Sequence, residues 1–335
     1  MRIHGTVQAI PHRSRALEGN ALGDPAERDI HVYLPPEYEK DAARSFPVVY
    51  CLTGFTGTGE MLLNVDPWAP NLPQRLEALR ARGFAGPMIL VMPDCFTRLG
   101  GSQYLNSSAV GAYEDYLIEE IIPLIDARLR TIREPAGRGV MGKSSGGYGA
   151  IVHAMRHPEI FGAVACHSGD MYFEYCYLPD FPKAASGLRR HGGLIPFLKA
   201  FDEEARKTND SVSILNIVAM AAAYSPNPAS ETMGIDLPFD QETGEIREAV
   251  WERWLAHDPV RLLPACADAL RAARLVYLDC GTRDEFNLHL GARIFARRLQ
   301  ALDIPHVHEE FDDGHMRITY RYERSLSHLW DAFGR

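Results

Sequence analysis

Apolar and polar positions along this chain follow two alternating periods. Short apolar runs at 46–52, 87–92, 138–141, 162–166 and 274–279, and a last, more polar stretch at 306–311, are too short for helices and end at turn residues. They read as strands. Residues 29–34 alternate and stop at Pro35-Pro36, which predicts an early strand at a sheet edge. Between these runs the spacing changes to the helical one. Leu76 and Leu79 lie in a helix predicted over 72–82, closed by Gly83. Tyr116, Leu117, Glu120, Ile121, Leu124 and Ile125 recur at helical intervals within a long helix predicted over 113–129. Further helices are expected at 148–156 and 291–302. Strand and helix in regular alternation predict an α/β protein with a mostly parallel central sheet flanked by helices.

Residues 170–258 break this rhythm. They hold an aromatic cluster (Tyr172, Phe173, Tyr175, Tyr177, Phe181), a helical run over 213–224 and polar turns near Asn227-Pro228. A structureless connection of that length is uncommon, so the segment is expected to be an inserted cap or lid. Residues 1–169 and 259–335 then form the core. The rival reading is an elaborate loop with structural duties only.

Composition narrows the class. Apolar residues at 46% and charged residues at 24% suit a globular chain with a sizeable core and exclude a disordered one. With 35 basic and 44 acidic side chains the balance is −9, which disfavours nucleic acid and anionic membrane as partners. The six cysteines contain no C-x-x-C pair and mostly sit in apolar runs, as structural thiols do. Residues 1–5 begin no apolar run of leader length, and no uncharged stretch approaches a membrane span. The chain reads as a cytoplasmic protein without internal repeats.

Gly142-Lys143-Ser144-Ser145-Gly146 carries the chemistry. G-x-S-x-G alone is a common pattern, but here a strand precedes it and a helix follows, the context of a nucleophile elbow. Such a turn lifts its serine above the sheet, and the helix N-terminus turns free N–H groups toward developing negative charge. Ser144 is the expected nucleophile and the Ser145 N–H one oxyanion donor. A serine hydroxyl needs a general base held by a third group. In chain order the acid and then the histidine follow, each after a late strand: Asp284 in Cys280-Gly281-Thr282-Arg283-Asp284 and His315 in Asp312-Asp313-Gly314-His315. Asp279 is expected to close its strand and face the turn. Asp312 and Asp313 lie too near His315 along the chain. The second oxyanion donor is expected from Thr53-Gly54-Phe55, with the Phe55 N–H preferred, Thr53 as an alternative, and Gly54 letting the turn approach Ser144. Thr53, Gly54, Tyr104, Tyr172 and Trp251 are candidate substrate contacts. His153 and His157 are spaced i, i+4. With no acidic residue between them and no third ligand in view, they read as a satisfied surface pair, as do His306 and His308. No metal and no cofactor is expected.

The turn Thr53–Gly57, the stretch 93–102, the elbow, the Cys-Gly-Thr-Arg-Asp-Glu-Phe loop at 280–286 and Asp313-Gly314-His315 together resemble the "putative esterase" (esterase D-like) branch of the α/β-hydrolases. That branch includes S-formylglutathione hydrolases, feruloyl esterases, siderophore esterases and mycolyltransferases. The resemblance spans roughly residues 28–330. It implies hydrolysis of a carboxylic ester or thioester through an acyl-enzyme on Ser144, with Asp284 and His315 completing the triad. Two departures stand out: Thr53 and Lys143-Ser144-Ser145 occupy places where many members carry a histidine. The leading expectation is a serine carboxylesterase acting on a small-molecule ester. An S-formylglutathione-type thioesterase, an acyltransferase and a catalytically silent scaffold of the same fold stay open, and so does a homo-oligomer.

Overall fold

The computed structural model describes residues 3–334. Met1 and Arg2, on which part of the N-terminal reading rests, and Arg335 lie outside the described residues. Strands β1 (Thr6–Arg13), β2 (Glu27–Leu34), β3 (Val48–Leu52), β4 (Ile89–Met92), β5 (Arg138–Lys143), β6 (Ala163–His167), β7 (Leu275–Gly281) and β8 (Val307–Phe311) form one eight-stranded sheet. Their spatial order is β1-β2-β4-β3-β5-β6-β7-β8. From β4 to β8 every pairing is parallel; β2 runs antiparallel to both neighbours, β1 and β4.

Packed against the sheet or inserted beside it are α1 (Leu72–Ala81), α2 (Ile122–Arg128), α3 (Ser145–Arg156), α4 (Phe181–His191), α5 (Leu194–Glu203), α6 (Asn209–Tyr224), α7 (Glu248–Leu255), α8 (Pro259–Ala272), α9 (Leu288–Ala301) and α10 (Tyr322–Ala332). Every residue of β3 is buried because helices cover both faces. Val48, Tyr50 and Leu52 point into one core, Val49 and Cys51 into the other, the two-residue period of a strand. The second core is closed by Leu72, Leu76 and Leu79 of α1 with Tyr322, Leu326 and Leu329 of α10. This is the α/β-hydrolase arrangement, and it sets the C-terminal ends of the parallel strands on one edge, where open α/β sheets collect their sites.

The structure corrects several expectations. β2 is not the edge; β1 covers it in full antiparallel register, Thr6 opposite Leu34 through Arg13 opposite Glu27. The single helix expected over 113–129 is interrupted. Tyr113–Asp115 leads into a π-helical stretch, Tyr116–Ile121, before α2 resumes. Pro123 offers no N–H and crowds the preceding turn, and the Ile122 N–H bonds back to the Leu117 carbonyl in the widened register. α3 begins at Ser145 rather than Tyr148, with glycines in its first turn because neighbours leave no room for more. A Cβ on Gly146 would lie 2.3 Å from the Leu52 carbonyl oxygen.

Residues 170–258 are largely helical and share one apolar core with the sheet. Phe181 meets Trp251 and Trp254 at ring separations of 5.3 and 5.5 Å. Tyr148 of α3 meets Phe173 and Tyr224 at 6.1 and 5.8 Å. No helix among the described residues is long and apolar enough to cross a membrane. All six cysteines are free thiols.

Candidate active site

Ser144 sits at the end of β5 with φ 57° and ψ −127°, a backbone conformation that costs energy for any residue with a side chain. Its N–H is held by the His167 carbonyl at 2.9 Å, and its carbonyl accepts the Tyr148 N–H at 2.9 Å. The turn closes so tightly that a Cβ on Gly142 would lie 2.3 Å from the Gly146 oxygen, which is why both positions are glycine.

Two loops of the same sheet edge meet this serine. The loop after β7 brings Asp284 and the loop after β8 brings His315. His315 Nε2 lies 3.0 Å from Ser144 Oγ, and His315 Nδ1 lies 2.8 Å from Asp284 Oδ2. Asp284 Oδ1 accepts the N–H groups of Phe286 at 2.9 Å and Leu288 at 3.4 Å. Burial works against the Asp284 charge, yet the bond and charge of His315 and these backbone donors outweigh it and hold the carboxyl below its ordinary range. The backbone N–H of His315 donates to Glu285 Oε2 at 2.6 Å, and the Phe286 ring stands edge-on to the imidazole at 4.8 Å. The first holds the backbone at His315 and the second flanks its ring.

The turn after β3 lies against the serine from the other side. A Cβ on Gly54 would sit 3.1 Å from the Lys143 carbonyl oxygen and 3.2 Å from Ser144 Cβ. Phe55 packs its ring over Gly100. Among the described residues, the N–H groups of Phe55 and Ser145 engage no hydrogen bond. The turn is held from behind: the Tyr104 hydroxyl donates to the Thr53 carbonyl at 2.7 Å, and Thr53 Oγ1 donates to the Gly57 carbonyl at 3.0 Å.

A cavity of about 210 Å³ opens over Ser144, lined by Gly54, Phe55, Lys143, Asp170, Tyr177 and Phe286 among others, with Val212 and Asn216 of α6 forming its roof. A wider hollow of about 530 Å³ lies beside Arg189, Asp236 and Asp240 and carries no comparable set of reactive groups. Of the candidate substrate contacts, Gly54 lines the cavity over Ser144. Thr53, Tyr104, Tyr172 and Trp251 do not. Tyr104 is buried beneath the turn, and Trp251 is turned inward onto Phe181 by the apolar face of α7. The Tyr172 ring meets that of Tyr175 at 4.7 Å in a tilted arrangement, and its backbone N–H donates to Asp258.

Sequence reasoning passed over Asp170 and treated Lys143 only as a departure from the resemblance. Asp170 Oδ2 accepts from Tyr177 Oη at 2.8 Å and Gln103 Nε2 at 3.0 Å, and burial raises its pKa despite these donors. Burial likewise lowers the Lys143 ammonium against the pull of Asp284, Asp170 and Glu285. The signal for Asp170 was available, because it follows the C-terminal end of β6, the same edge that nominated the other residues.

Asp279 does not face the turn. It lies inside β7 with its side chain fully buried, accepting from His167 Nδ1 at 2.7 Å, Tyr277 Oη at 2.8 Å and Arg321 Nε at 2.8 Å. His167 Nε2 in turn meets Ser325 Oγ at 2.8 Å. This second Ser–His–Asp array is sealed, since His167, Asp279 and Ser325 are all within 1% of full burial.

The sequence profile described as "Putative esterase" matches residues 20–333. Esterase Rv1288 of Mycobacterium tuberculosis (strain H37Rv) is 29% identical over 215 residues, which take in 60% of this chain and 44% of that protein. The chain thus spans less than half the length of that curated relative. Among solved structures, an S-formylglutathione hydrolase from Agrobacterium tumefaciens is similar with a TM-score of 0.62 at 18% identity, covering 100% of this chain and 98% of that one. A ferulic acid esterase is similar with a TM-score of 0.61 at 20% identity, covering 99% and 100%.

Proposed function

Because this chain belongs to the putative esterase family, we propose that it is a serine carboxylesterase working through an acyl-enzyme on Ser144. The observation that carries this reading is the continuous hydrogen-bonded path from Asp284 through His315 to Ser144, ending at a cavity. Ser144 Oγ attacks the ester carbonyl carbon while His315 Nε2 takes its proton. The N–H groups of Ser145 and Phe55 hold the oxygen that becomes negative. As the tetrahedral adduct collapses, His315 returns the proton to the leaving alkoxide and the alcohol departs. Water then gives a proton to His315 as it adds to the acyl carbonyl; when this second adduct collapses, His315 returns the proton to Ser144 Oγ and the acid leaves. Asp284 keeps Nδ1 protonated and balances the imidazolium. The residues 170–258 serve as the cap: Tyr177, Val212 and Asn216 roof the cavity, and Phe55, Phe286, Leu288 and Met316 give it an apolar side suited to a compact acyl group.

The test is covalent labelling of the wild-type chain with a fluorophosphonate probe, followed by peptide mapping, alongside hydrolysis of short p-nitrophenyl esters. Modification on Ser144 alone, with ester turnover, is expected. A chain that stays unlabelled where a control esterase reacts would favour the silent scaffold. Adding an alcohol acceptor separates hydrolysis from acyl transfer by the product formed.

The oxyanion turn makes its own prediction. Gly54→Ala puts a methyl group against the Lys143 carbonyl and Ser144 Cβ, neither of which can retreat without opening the elbow. Displacing the Phe55 N–H should cost one donor, lowering kcat on the order of 10²-fold with little change in melting temperature. A Gly54→Ala enzyme with wild-type kcat would remove this turn from the mechanism.

A further inference from the structure

Far from Ser144, at the opposite end of α3, the expectation of a satisfied surface histidine pair fails. His153 is completely buried, and neither of its ring nitrogens has a hydrogen-bond partner among the described residues. An uncompensated buried imidazole is costly, so an unpaired one calls for an explanation. The third ligand that the spacing alone did not reveal is present. Glu114, from the short helical turn that precedes the π-helical stretch, brings its Oε1 to 2.9 Å from His157 Nε2. One ligand atom each from Glu114, His153 and His157 lies within 4.8 Å of the others. We propose that Glu114, His153 and His157 bind one divalent first-row transition-metal ion of the zinc or cobalt class, with water completing its coordination.

Two imidazoles and one carboxylate are the donor set that such ions take. Tetrahedral bonds of about 2.0–2.1 Å separate donor atoms by roughly 3.3 Å, so the Glu114–His157 pair already stands near ligand spacing. The His153 ring must close by up to about 1.5 Å, within reach of rotations of Glu114 and His157. The two imidazoles lie nearly parallel, 5.7 Å apart with 29° between planes. A metal-bound histidine usually gives its other N–H to a carbonyl. The Tyr104 carbonyl stands beside the His153 ring, outside hydrogen-bond geometry. Arg156 Nη1 holds Glu114 Oε2 at 2.7 Å, which orients the carboxylate and leaves Oε1 for the ion, while its charge lowers the affinity. His157 and Glu114 are partly exposed, so the ion has a way in. The C-terminal end of a helix also favours a cation. α3 runs about 15 Å between Ser144 and this site, so the ion would pin the helix to the 113–128 segment rather than touch the ester.

The test is equilibrium dialysis of the untagged, chelator-treated chain against Zn²⁺ and, separately, Co²⁺, with metal content and the visible cobalt spectrum as readouts. One equivalent is expected, with the absorption of a low-coordinate cobalt ion. Glu114→Gln and His157→Ala should each weaken binding at least tenfold, while Ser144→Ala should bind as the wild type does. If His157→Ala fails to fold, Glu114→Gln decides alone, since it preserves size and polarity. Absence of stoichiometric binding overturns the site. So does wild-type affinity in both variants, or an ion lost from His315→Ala and kept by Glu114→Gln, which would put the metal at Ser144.

Discussion

Ser144→Ala should lower kcat/KM for a p-nitrophenyl ester by about 10⁴- to 10⁶-fold, the range found when a nucleophile is removed from a triad whose other parts remain. The residue lines the cavity, and its backbone N–H and carbonyl bonds do not involve the hydroxyl, so the variant should fold with the elbow intact. Ser145→Ala is the control. Its neighbouring hydroxyl offers an equal chemical nucleophile, but Ser145 is the first residue of α3 and is expected to serve through its backbone N–H, which alanine keeps. Its loss should change kcat/KM by less than about tenfold. Asp284→Asn belongs to the same argument. The amide can donate to His315 Nδ1 and favour the wrong tautomer, so kcat should fall by about 10⁴-fold while Ser144 and His315 stay in place. Steady-state rates of the three purified variants decide this. A Ser145→Ala enzyme as dead as Ser144→Ala would displace the nucleophile by one residue.

Much of this site was legible because each of its parts depends on chain order and strand ends. Apolar runs located β3 to β7, a short stretch ending at Phe311 gave β8, and the edge rule then nominated Ser144, Asp284 and His315. What escaped had physical reasons. β1 (Thr-Val-Gln-Ala-Ile-Pro-His-Arg) buries only Ile10, so its pattern carries little apolar signal, and without it β2 looked like the edge. α8 was not anticipated and forms across an internal proline, Pro264. Helical spacing shows that His153 and His157 share a side but not what that side faces. In α3 every residue from Ser145 to Met155 is buried, so no solvent face exists for His153 to occupy. Glu114 comes from a segment distant in sequence, and only the packing of the 113–128 segment against α3 brings it there. Asp279 was misjudged for a related reason. Its position at the end of an apolar run suggested a turn, whereas β7 continues through Gly281 and pairs with β6 on one side and β8 on the other.

That buried aspartate gives the largest expected effect on stability. Asp279 accepts hydrogen bonds from His167, Tyr277 and Arg321, and Arg321 in turn pairs with Glu309 at 2.5 Å. Burial alone would raise its pKa, but the charges and bonds of His167 and Arg321 reverse this and keep it ionised below the ordinary range. Asp279→Ala would leave the largely buried Arg321 guanidinium short of an acceptor, and the His167 ring, which is out of contact with water, without a partner on Nδ1. Removing one member of a buried pair typically costs about 3–5 kcal/mol, against about 1–2 kcal/mol for the two hydrogen bonds lost in Ser325→Ala, with His167 Nε2 and to the Tyr322 carbonyl. Urea denaturation should therefore show a much lower midpoint for Asp279→Ala than for Ser325→Ala. The two Ser–His–Asp arrays then separate by kind. Ser325→Ala should keep turnover within a few-fold of wild type, because the sealed array reaches Ser144 only through the backbone carbonyl of His167. If Asp279→Ala proves as stable as the wild type, the buried array is not the clamp between β6, β7 and the C-terminal helix that its bonds describe. If Ser325→Ala abolishes turnover while remaining folded, catalysis does not rest on Ser144, His315 and Asp284 alone.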